Sequence, residues 1–398
     1  MSTSGVAAAS RPLLLLSFAA FVSLGLPDGL LGVAWPSMRQ TFGLPLDALG
    51  ALFIATTVGY TSASFLSGAI LRRIRLGGLL ASSCFATALA LIAYSLAPRW
   101  EVVVAFGLLG GLGAGAIDTG LNAFAAHNYS PRTVNILHAF FGLGTTIGPA
   151  LMTAVLLADH DWRRGYVIVG AAQLALALAF VATRRRWPTA ESAAHAQTPQ
   201  APLAATLRLP ATSLSACVFI LYCGLEASTG AWLFTLLSEG RGTPTATAGT
   251  AVSIFWGSLM AARIVFGLVH VRALSRWLFG CMSALVVATI ALALSEQAFV
   301  SIAAAAVIGF ACGPIFPWLI SLTPARLGAA HGTNAIGIQI ASAAIGLTLL
   351  PALVGVIGAE SGVNTIPLAL TGIALLLVSG YGLLERLSSS RPSSDGTA

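Results

Sequence analysis

Stretches of about 20 mostly apolar residues recur along the whole chain, and they restrict its fold more than any other feature. A helix of about 20 apolar residues is long enough to cross the hydrocarbon core of a bilayer. Twelve such segments lie at residues 12–35, 47–70, 77–97, 102–124, 134–157, 165–184, 212–237, 247–270, 274–295, 298–321, 333–357 and 364–385. Because backbone amides in hydrocarbon must be hydrogen-bonded within the protein, the sequence predicts an all-α membrane protein with twelve transmembrane helices.

The charge content agrees with this assignment and excludes several classes of protein. Only 8% of the residues are charged, whereas a soluble domain carries about 25%. The net charge of +7 is spread between the apolar spans, which argues against a nucleic-acid-binding patch. The sequence contains no nucleophile elbow, no nucleotide-binding loop and no cluster of metal ligands. We therefore expect no enzymatic activity, no cofactor and no bound metal.

One polar segment divides the spans into two groups of six. Residues 184–211 begin with three consecutive arginines and contain several prolines, which is typical of a flexible linker. The sequence thus predicts an N-terminal six-helix half over 1–183, a linker over 184–211 and a C-terminal six-helix half over 212–387. Residues 388–398 are rich in serine, and we expect a disordered tail there.

The arginines predict the orientation of the chain, because basic residues are enriched in cytoplasmic loops. With the N-terminus inside, fourteen arginines lie in cytoplasmic segments, namely 11, 72, 73, 75, 132, 184, 185, 186, 208, 272, 276, 326, 386 and 391. Five lie outside, at 39, 99, 163, 164 and 241. This distribution favours cytoplasmic N- and C-termini, and the absence of lysine favours a bacterial inner membrane.

The two halves carry matching residues at a nearly constant spacing. Asp28 and Glu226 are 198 residues apart, as are Gly115 and Gly313, and Pro149-Ala150-Leu151 matches 351–353 at a spacing of 202. A common offset across several helices indicates an internal duplication. Two six-helix halves related by an axis along the membrane normal form the major facilitator fold, whose substrate site lies between the halves near the midplane.

Four formally ionised residues fall inside the predicted spans: Asp28, Asp118, Glu226 and Arg263. A charged side chain at the bilayer centre costs about 2.5–3.5 kcal/mol on insertion scales, so such residues normally face a partner or a water-filled cavity. Asp28 lies in Gly25-Leu26-Pro27-Asp28-Gly29, where the proline and glycines loosen the helix. We interpret Asp28 and Asp118 as proton-coupling residues. The alternative is that the acids are protonated and hydrogen-bonded between helices.

Asn122 and His138 are the candidate substrate-binding residues of the first half. Asn122 follows Asp118 by one helical turn and therefore shares its face. A carboxylate and an amide on one face can hold neighbouring sugar hydroxyls. His138 is a candidate proton relay or hydroxyl partner, and the alternative is a polar residue near the cytoplasmic end of its helix.

The second half contributes further candidates. Glu226, Asn334 and Gln339 are the polar candidates for substrate binding. Trp256 could stack against a sugar ring or pack in the apolar core. For Arg263 we favour a gating or structural contact over substrate binding.

Five segments carry a family resemblance, and each belongs to a different predicted span. They are Pro27-Asp28-Gly29-Leu30, Asp118-Thr119-Gly120-Leu121-Asn122, Asn135-Ile136-Leu137-His138-Ala139-Phe140-Phe141-Gly142, Tyr222-Cys223-Gly224-Leu225-Glu226 and Gly313-Pro314-Ile315-Phe316-Pro317. With these segments the sequence resembles the fucose:proton symporter family of the major facilitator superfamily. The resemblance implies proton-driven uptake of a monosaccharide. In that family an acid in span one and an acid in span four carry the proton and the sugar, and these acids map to Asp28 and Asp118.

Two functional hypotheses follow. The first is a symporter that moves a small hydroxylated solute together with protons by alternating access, with sodium as the alternative coupling ion. The second is a proton-driven exporter of a metabolite or drug, which the same fold and acids would serve. In both cases we expect a monomer in the lipid bilayer whose partners are a small solute and an ion.

Overall fold

The computed structural model describes residues 11–71, 73–158, 161–187, 201–269 and 271–389, and these parts are almost entirely helical. The helices are α1 (Arg11–Phe42), α2 (Leu49–Leu71), α3 (Leu76–Leu96), α4 (Trp100–Asn128), α5 (Pro131–Leu157), α6 (Arg163–Thr183), α7 (Leu203–Leu207), α8 (Pro210–Thr235), α9 (Thr245–Leu268), α10 (Leu274–Leu294), α11 (Ala298–Cys312), α12 (Ile315–Leu327), α13 (Ala329–Ser361) and α14 (Ile366–Ser389). Within the described ranges, twelve helical stretches are long and apolar enough to cross a membrane. The predicted all-α membrane fold is confirmed.

The fourteen helices form only twelve spans, for two reasons. The short helix α7 lies in the linker, and α11 and α12 together form one span, Ala298–Leu327. Gly313 and Pro314 interrupt that span, because proline lacks the amide hydrogen that a continuous helix requires.

The helices pair in the same way in both halves. In the first half α1 packs on α5, α2 on α4 and α3 on α6; in the second half α8 packs on α13, α9 on α11 and α10 on α14. Glycines make the closest approaches possible. A Cβ on Gly115 would lie 2.2 Å from the Tyr60 carbonyl oxygen, and one on Gly313 would lie 2.9 Å from that of Leu259. Gly115 and Gly313 are one of the pairs found in the sequence, so the internal repeat reappears as a repeated packing contact.

The contacts between the two halves include an ion pair at one end of the bundle. Twelve spans bring the start of α1 and the end of α14 to the same side, which we call the terminal face, and we call the other side the opposite face. At the opposite face Arg39 donates to both carboxylate oxygens of Glu239, at 3.3 Å from Nε and 2.6 Å from Nη2. A Cβ on Gly50 would lie 3.2 Å from the Cβ of Ala352. These contacts close the opposite face.

The linker is packed at both of its described ends, where the sequence alone predicts flexible chain. Arg184–Arg186 form a 3-10 turn, and Trp187 is buried in ring contact with Phe124 and Phe180. At the other end Ala201 donates its amide to the Ala330 carbonyl oxygen at 3.0 Å. The ends are ordered because an apolar ring and backbone amides find partners on the bundle. Residues 188–200, and residues 390–398 of the predicted tail, lie outside the described residues.

Candidate transport site

The Asp118 carboxylate is held from two helices. The Tyr60 hydroxyl on α2 donates to Oδ2 at 2.5 Å, and the Asn122 amide on α4 donates to Oδ1 at 2.9 Å. Tyr60 reaches Asp118 because Gly115 lets α4 approach the α2 backbone closely. The predicted pairing of Asp118 with Asn122 is therefore present, since residues four apart on a helix share a face.

Asp28 and His138 lie on α1 and α5 and are both exposed to solvent, although Asp28 stands near the middle of a membrane-spanning helix. Asp28 interacts electrostatically with Asp118 and with Tyr60, and His138 interacts with Asp118 and with Arg263 of the other half. Both groups lie inside membrane-spanning helices and are reached by solvent, which indicates an open space within the bundle beside them.

A second polar cluster lies in the C-terminal half. The Tyr222 hydroxyl, which has one hydrogen to donate, lies within hydrogen-bonding distance of the Glu226 carboxylate and, at 3.0 Å, of the Cys312 carbonyl oxygen. The Cys312 carbonyl is free to accept because α11 ends there, and the last carbonyls of a helix lack partners within it. Arg263 Nη2 lies 3.8 Å from Glu226 Oε1. The four ionised residues that the sequence predicts in the spans thus fall into two clusters, one in each half.

Trp256 lies at the crossing of α8 and α9. A Cβ on Gly230 would lie 2.5 Å from Cζ2 of Trp256, and the Phe255 ring meets the indole edge-on at 4.9 Å. The indole is buried, and its Nε1 lacks a hydrogen-bond partner within the described part of the chain. This geometry seats Trp256 in the packing between helices and leaves an indole donor without a partner.

Asn334 and Gln339 do not join either cluster. Asn334 donates its amide to the Ala201 carbonyl oxygen of the linker at 2.8 Å. Gln339 is 2% exposed and bonds to Ser215 at 2.6 Å and to Thr323 at 2.9 Å. Both side chains fix α13 to its neighbours.

Tyr60 is not among the residues that the sequence singles out, and Tyr222 appears there only within a family segment, without a role of its own. Neither side chain is charged, so the cost of burying charge does not single them out. Tyr222 could have been found from its spacing, because it precedes Glu226 by four residues on one helix. Tyr60 could not, because its partner Asp118 lies on another helix and the rotation of both helices decides the contact.

Known proteins resemble this chain in sequence. The sequence profile of the Major Facilitator Superfamily matches residues 13–338. The chain is 23% identical to the glucose/mannose transporter GlcP of Bacillus subtilis over 354 residues, which is 86% of each protein. It is 22% identical to the bypass of stop codon protein 6 of Saccharomyces cerevisiae over 388 residues, 87% of this chain and 77% of that protein. It is 24% identical to the sodium-dependent glucose transporter 1A of Mus musculus over 137 residues, 34% of this chain and 32% of that one.

Solved structures share the fold. A bacterial homologue of the human lysosomal transporter Spinster, inward-facing and unoccupied, superposes with a TM-score of 0.79 at 15% identity over 97% of this chain and all of that one. The nucleoside transporter NupG gives 0.73 at 15% identity over 95% of this chain and all of that one. The transporter FucP in the outward conformation gives 0.61 at 16% identity, over 94% of this chain and 98% of that one.

Proposed function

The chain belongs to the Major Facilitator Superfamily, and from that premise we propose that it imports a monosaccharide together with protons by alternating access. The observation that carries this proposal is the Asp118 carboxylate, bonded to Tyr60 and Asn122 beside the exposed carboxylate of Asp28. Sugar transporters among the relatives of low identity support the choice of solute class.

The N-terminal cluster has the chemistry for both tasks. A carboxylate offers about four lone-pair positions, and Tyr60 and Asn122 occupy two around Asp118, which leaves acceptors for sugar hydroxyls. Asp28 is open to water and can exchange a proton with the solution. Its protonation removes one of two interacting negative charges, and a change of charge in the cavity shifts the balance between conformations only if the two conformations bind the proton differently.

The C-terminal cluster completes the site across the cavity. Glu226 accepts from Tyr222 and lies near Arg263, and we propose that Glu226 and the His138 ring contact the solute from opposite halves. Trp256 contributes its indole donor at the α8 crossing, and Arg263 acts as a gating contact between the halves. Asn334 and Gln339 act through the packing of α13.

The proposal includes the orientation. Arginine-rich segments, including Arg184–Arg186, lie on the terminal face, so we propose that this face is cytoplasmic in a bacterial inner membrane. The structure then represents the inward-open state, with the Arg39–Glu239 pair on the outside.

Uptake of labelled glucose and mannose into proteoliposomes tests the proposal. We expect an inward proton gradient to drive accumulation, and we expect Asp28→Asn and Asp118→Asn each to abolish it. Asp28→Asn should retain exchange of labelled for unlabelled sugar, because exchange needs no net proton movement. Accumulation that is independent of the proton gradient and follows a sodium gradient would show that sodium, and not the proton, is the coupling ion. Accumulation that follows neither gradient would refute coupled import.

Export of an amphipathic metabolite is the second candidate function. Phe21, itself buried, meets the exposed His138 ring edge-on at 5.2 Å, so His138 has an apolar neighbour, which suits a less polar solute. Proton-driven efflux of a fluorescent amphipathic compound from loaded vesicles, without uptake of any sugar, would favour this candidate.

A further inference from the structure

Pro27 leaves a backbone carbonyl of α1 without its helical donor. Proline has no amide hydrogen, so residue 27 cannot donate to the carbonyl oxygen of Ser23, four residues earlier. Ser23 is buried in the bundle, and a carbonyl away from water requires another donor. The freed carbonyl lies little more than one turn before Asp28.

Gln173 on α6 supplies that donor. Its Nε2 donates to the Ser23 carbonyl oxygen at 2.8 Å. The side chain is 3% exposed, and its Oε1 has no hydrogen-bond partner within the described part of the chain. A polar amide inside a membrane-spanning helix is costly. The bond that this amide donates goes to the carbonyl that Pro27 sets free.

The same segment of α1 is fixed on its other side by α5. A Cβ on Gly25 would lie 2.3 Å from the Phe141 carbonyl oxygen, and one on Gly29 would lie 2.6 Å from that of Thr145. The loosened part of α1 therefore has two supports: backbone contact with α5 and the hydrogen bond from Gln173. The hydrogen bond comes from a side chain, so it can be removed by substitution of Gln173 without a change to the backbone.

We infer that Gln173 is a positioning residue for Asp28, which it serves by replacing the hydrogen bond that Pro27 removes. The inference rests on the proposed role of Asp28 in proton coupling. Without Gln173 the Ser23 carbonyl has no donor, and we expect α1 to rearrange locally and to shift Asp28 relative to its neighbours. The titratable groups that interact with Asp28 are Asp118 on α4 and Tyr60 on α2.

The titratable groups beyond these are His138 on α5, Arg263 on α9 and Glu226 on α8. They belong to the same electrostatic network, because His138 interacts with Asp118 and with Arg263, and Arg263 lies 3.8 Å from Glu226. A displacement of Asp28 changes its distances to this network, so the pH dependence of transport should change with it.

Four proteins test the inference: the wild type, Gln173→Leu, Pro27→Ala and the double variant. Leucine has a similar volume but no donor. In Pro27→Ala, residue 27 regains its amide hydrogen and bonds Ser23 within the helix, so Gln173 becomes dispensable. We expect Gln173→Leu alone to lower gradient-driven uptake about tenfold, as for the loss of one buried hydrogen bond, and to shift the pH of half-maximal uptake. The double variant should transport within about twofold of Pro27→Ala, because the Ser23 carbonyl keeps its restored helical donor when Gln173 is replaced.

The pH dependence of uptake and the unfolding temperature distinguish a positioning role of Gln173 from a purely structural one. A purely structural role would lower uptake by one common factor at every pH, and that result would overturn the inference. Thermal unfolding of the four proteins covers the case in which Pro27→Ala abolishes transport. Gln173→Leu should then lower Tm when residue 27 is proline and leave Tm unchanged when Pro27→Ala is also present. If Gln173→Leu lowers Tm equally with proline and with alanine at residue 27, then Gln173 does not replace the helical hydrogen bond that Pro27 removes.

The variant Asp28→Asn tests the proposed coupling role independently of Gln173. If Asp28→Asn retains proton-driven uptake, the proposed coupling role fails, and the effect of Gln173 on coupling fails with it. The unfolding temperatures still report whether Gln173 replaces the missing helical bond, because that measurement does not involve transport.

Discussion

The Tyr60 hydroxyl fixes the orientation of the Asp118 carboxylate through its hydrogen bond to Oδ2. Tyr60→Phe keeps the ring that packs between α2 and α4 and removes only the donor to Oδ2. We expect the KM for sugar uptake to rise about tenfold, because a hydrogen bond to a charged group contributes about 1.5–3 kcal/mol. Initial rates across sugar concentrations measure the change.

Tyr166→Phe is the matched control for this substitution. Tyr166 is buried in the same half, and its hydroxyl contacts the Met38 sulfur, at 3.7 Å. The control should leave KM unchanged. An equal rise in both variants would mean that loss of any buried hydroxyl in this half disturbs binding, and that Tyr60 has no special part in it.

The position of Gln339 in the fold could not be predicted from the sequence, whereas the importance of the ionised residues in the spans could. The high cost of charge in a membrane makes Asp28, Asp118, Glu226 and Arg263 visible in the sequence, and the structure places all four in two facing clusters. A neutral amide such as Gln339 costs less and can be satisfied anywhere inside the bundle. Its location depends on the rotation of α13, which no local pattern encodes.

Gln339→Leu should therefore affect stability and leave binding unchanged. The substitution removes the donor to the Ser215 hydroxyl, while Thr323 keeps its bond to the Leu319 carbonyl oxygen, and a buried polar group left unpaired costs about 1–3 kcal/mol. We expect a lower unfolding temperature in detergent with an unchanged KM for the sugar. A raised KM with an unchanged unfolding temperature would instead assign Gln339 to the solute site.

At the scale of helices, the repeated glycines set how closely α4 approaches α2. Gly115→Ala would place a Cβ 2.2 Å from the Tyr60 carbonyl oxygen, and overpacking of this kind costs about 1–3 kcal/mol. Separation of the two helices also breaks the Tyr60 bond to Asp118. We expect both a lower unfolding temperature and a loss of uptake.

Gly280→Ala is the control at this scale. Gly280 lies inside α10, and an added Cβ would meet nothing within 4 Å. Alanine is favoured over glycine within a helix by about 0.5–1 kcal/mol, so this variant should be at least as stable as the wild type. If Gly115→Ala behaves like Gly280→Ala, the close contact between α2 and α4 does not hold the site together.

The repeat shows why the division into two similar halves was easier to predict than the packing of the linker. The spacing of 198 residues between Gly115 and Gly313 is visible in the sequence because close packing tolerates no other residue type there. The burial of Trp187 against Phe124 and Phe180 depends on a single aromatic ring that meets two helices. A polar, proline-containing segment gives no sign of such a contact, and so composition alone predicts flexible chain.

At the scale of the whole molecule, alternating access requires the closed opposite face to open in each cycle. Gly50 on α2 and Ala352 on α13 face each other across the halves there, with an expected Cβ–Cβ distance of 3.2 Å, near the range of about 3.5–4.5 Å found in disulfides. Gly50→Cys with Ala352→Cys should therefore form a disulfide upon oxidation and hold this face closed. The exposed Cys217 must be replaced first.

We expect oxidation to abolish sugar uptake by the double-cysteine protein and a thiol reductant to restore it. Each single-cysteine variant should be unaffected by the oxidant, which controls for damage to the native cysteines. Mass spectrometry of the intact protein establishes the fraction that is cross-linked. Normal uptake by fully cross-linked protein would show that α2 and α13 need not separate at this face, and the two halves would then have to exchange access by another movement.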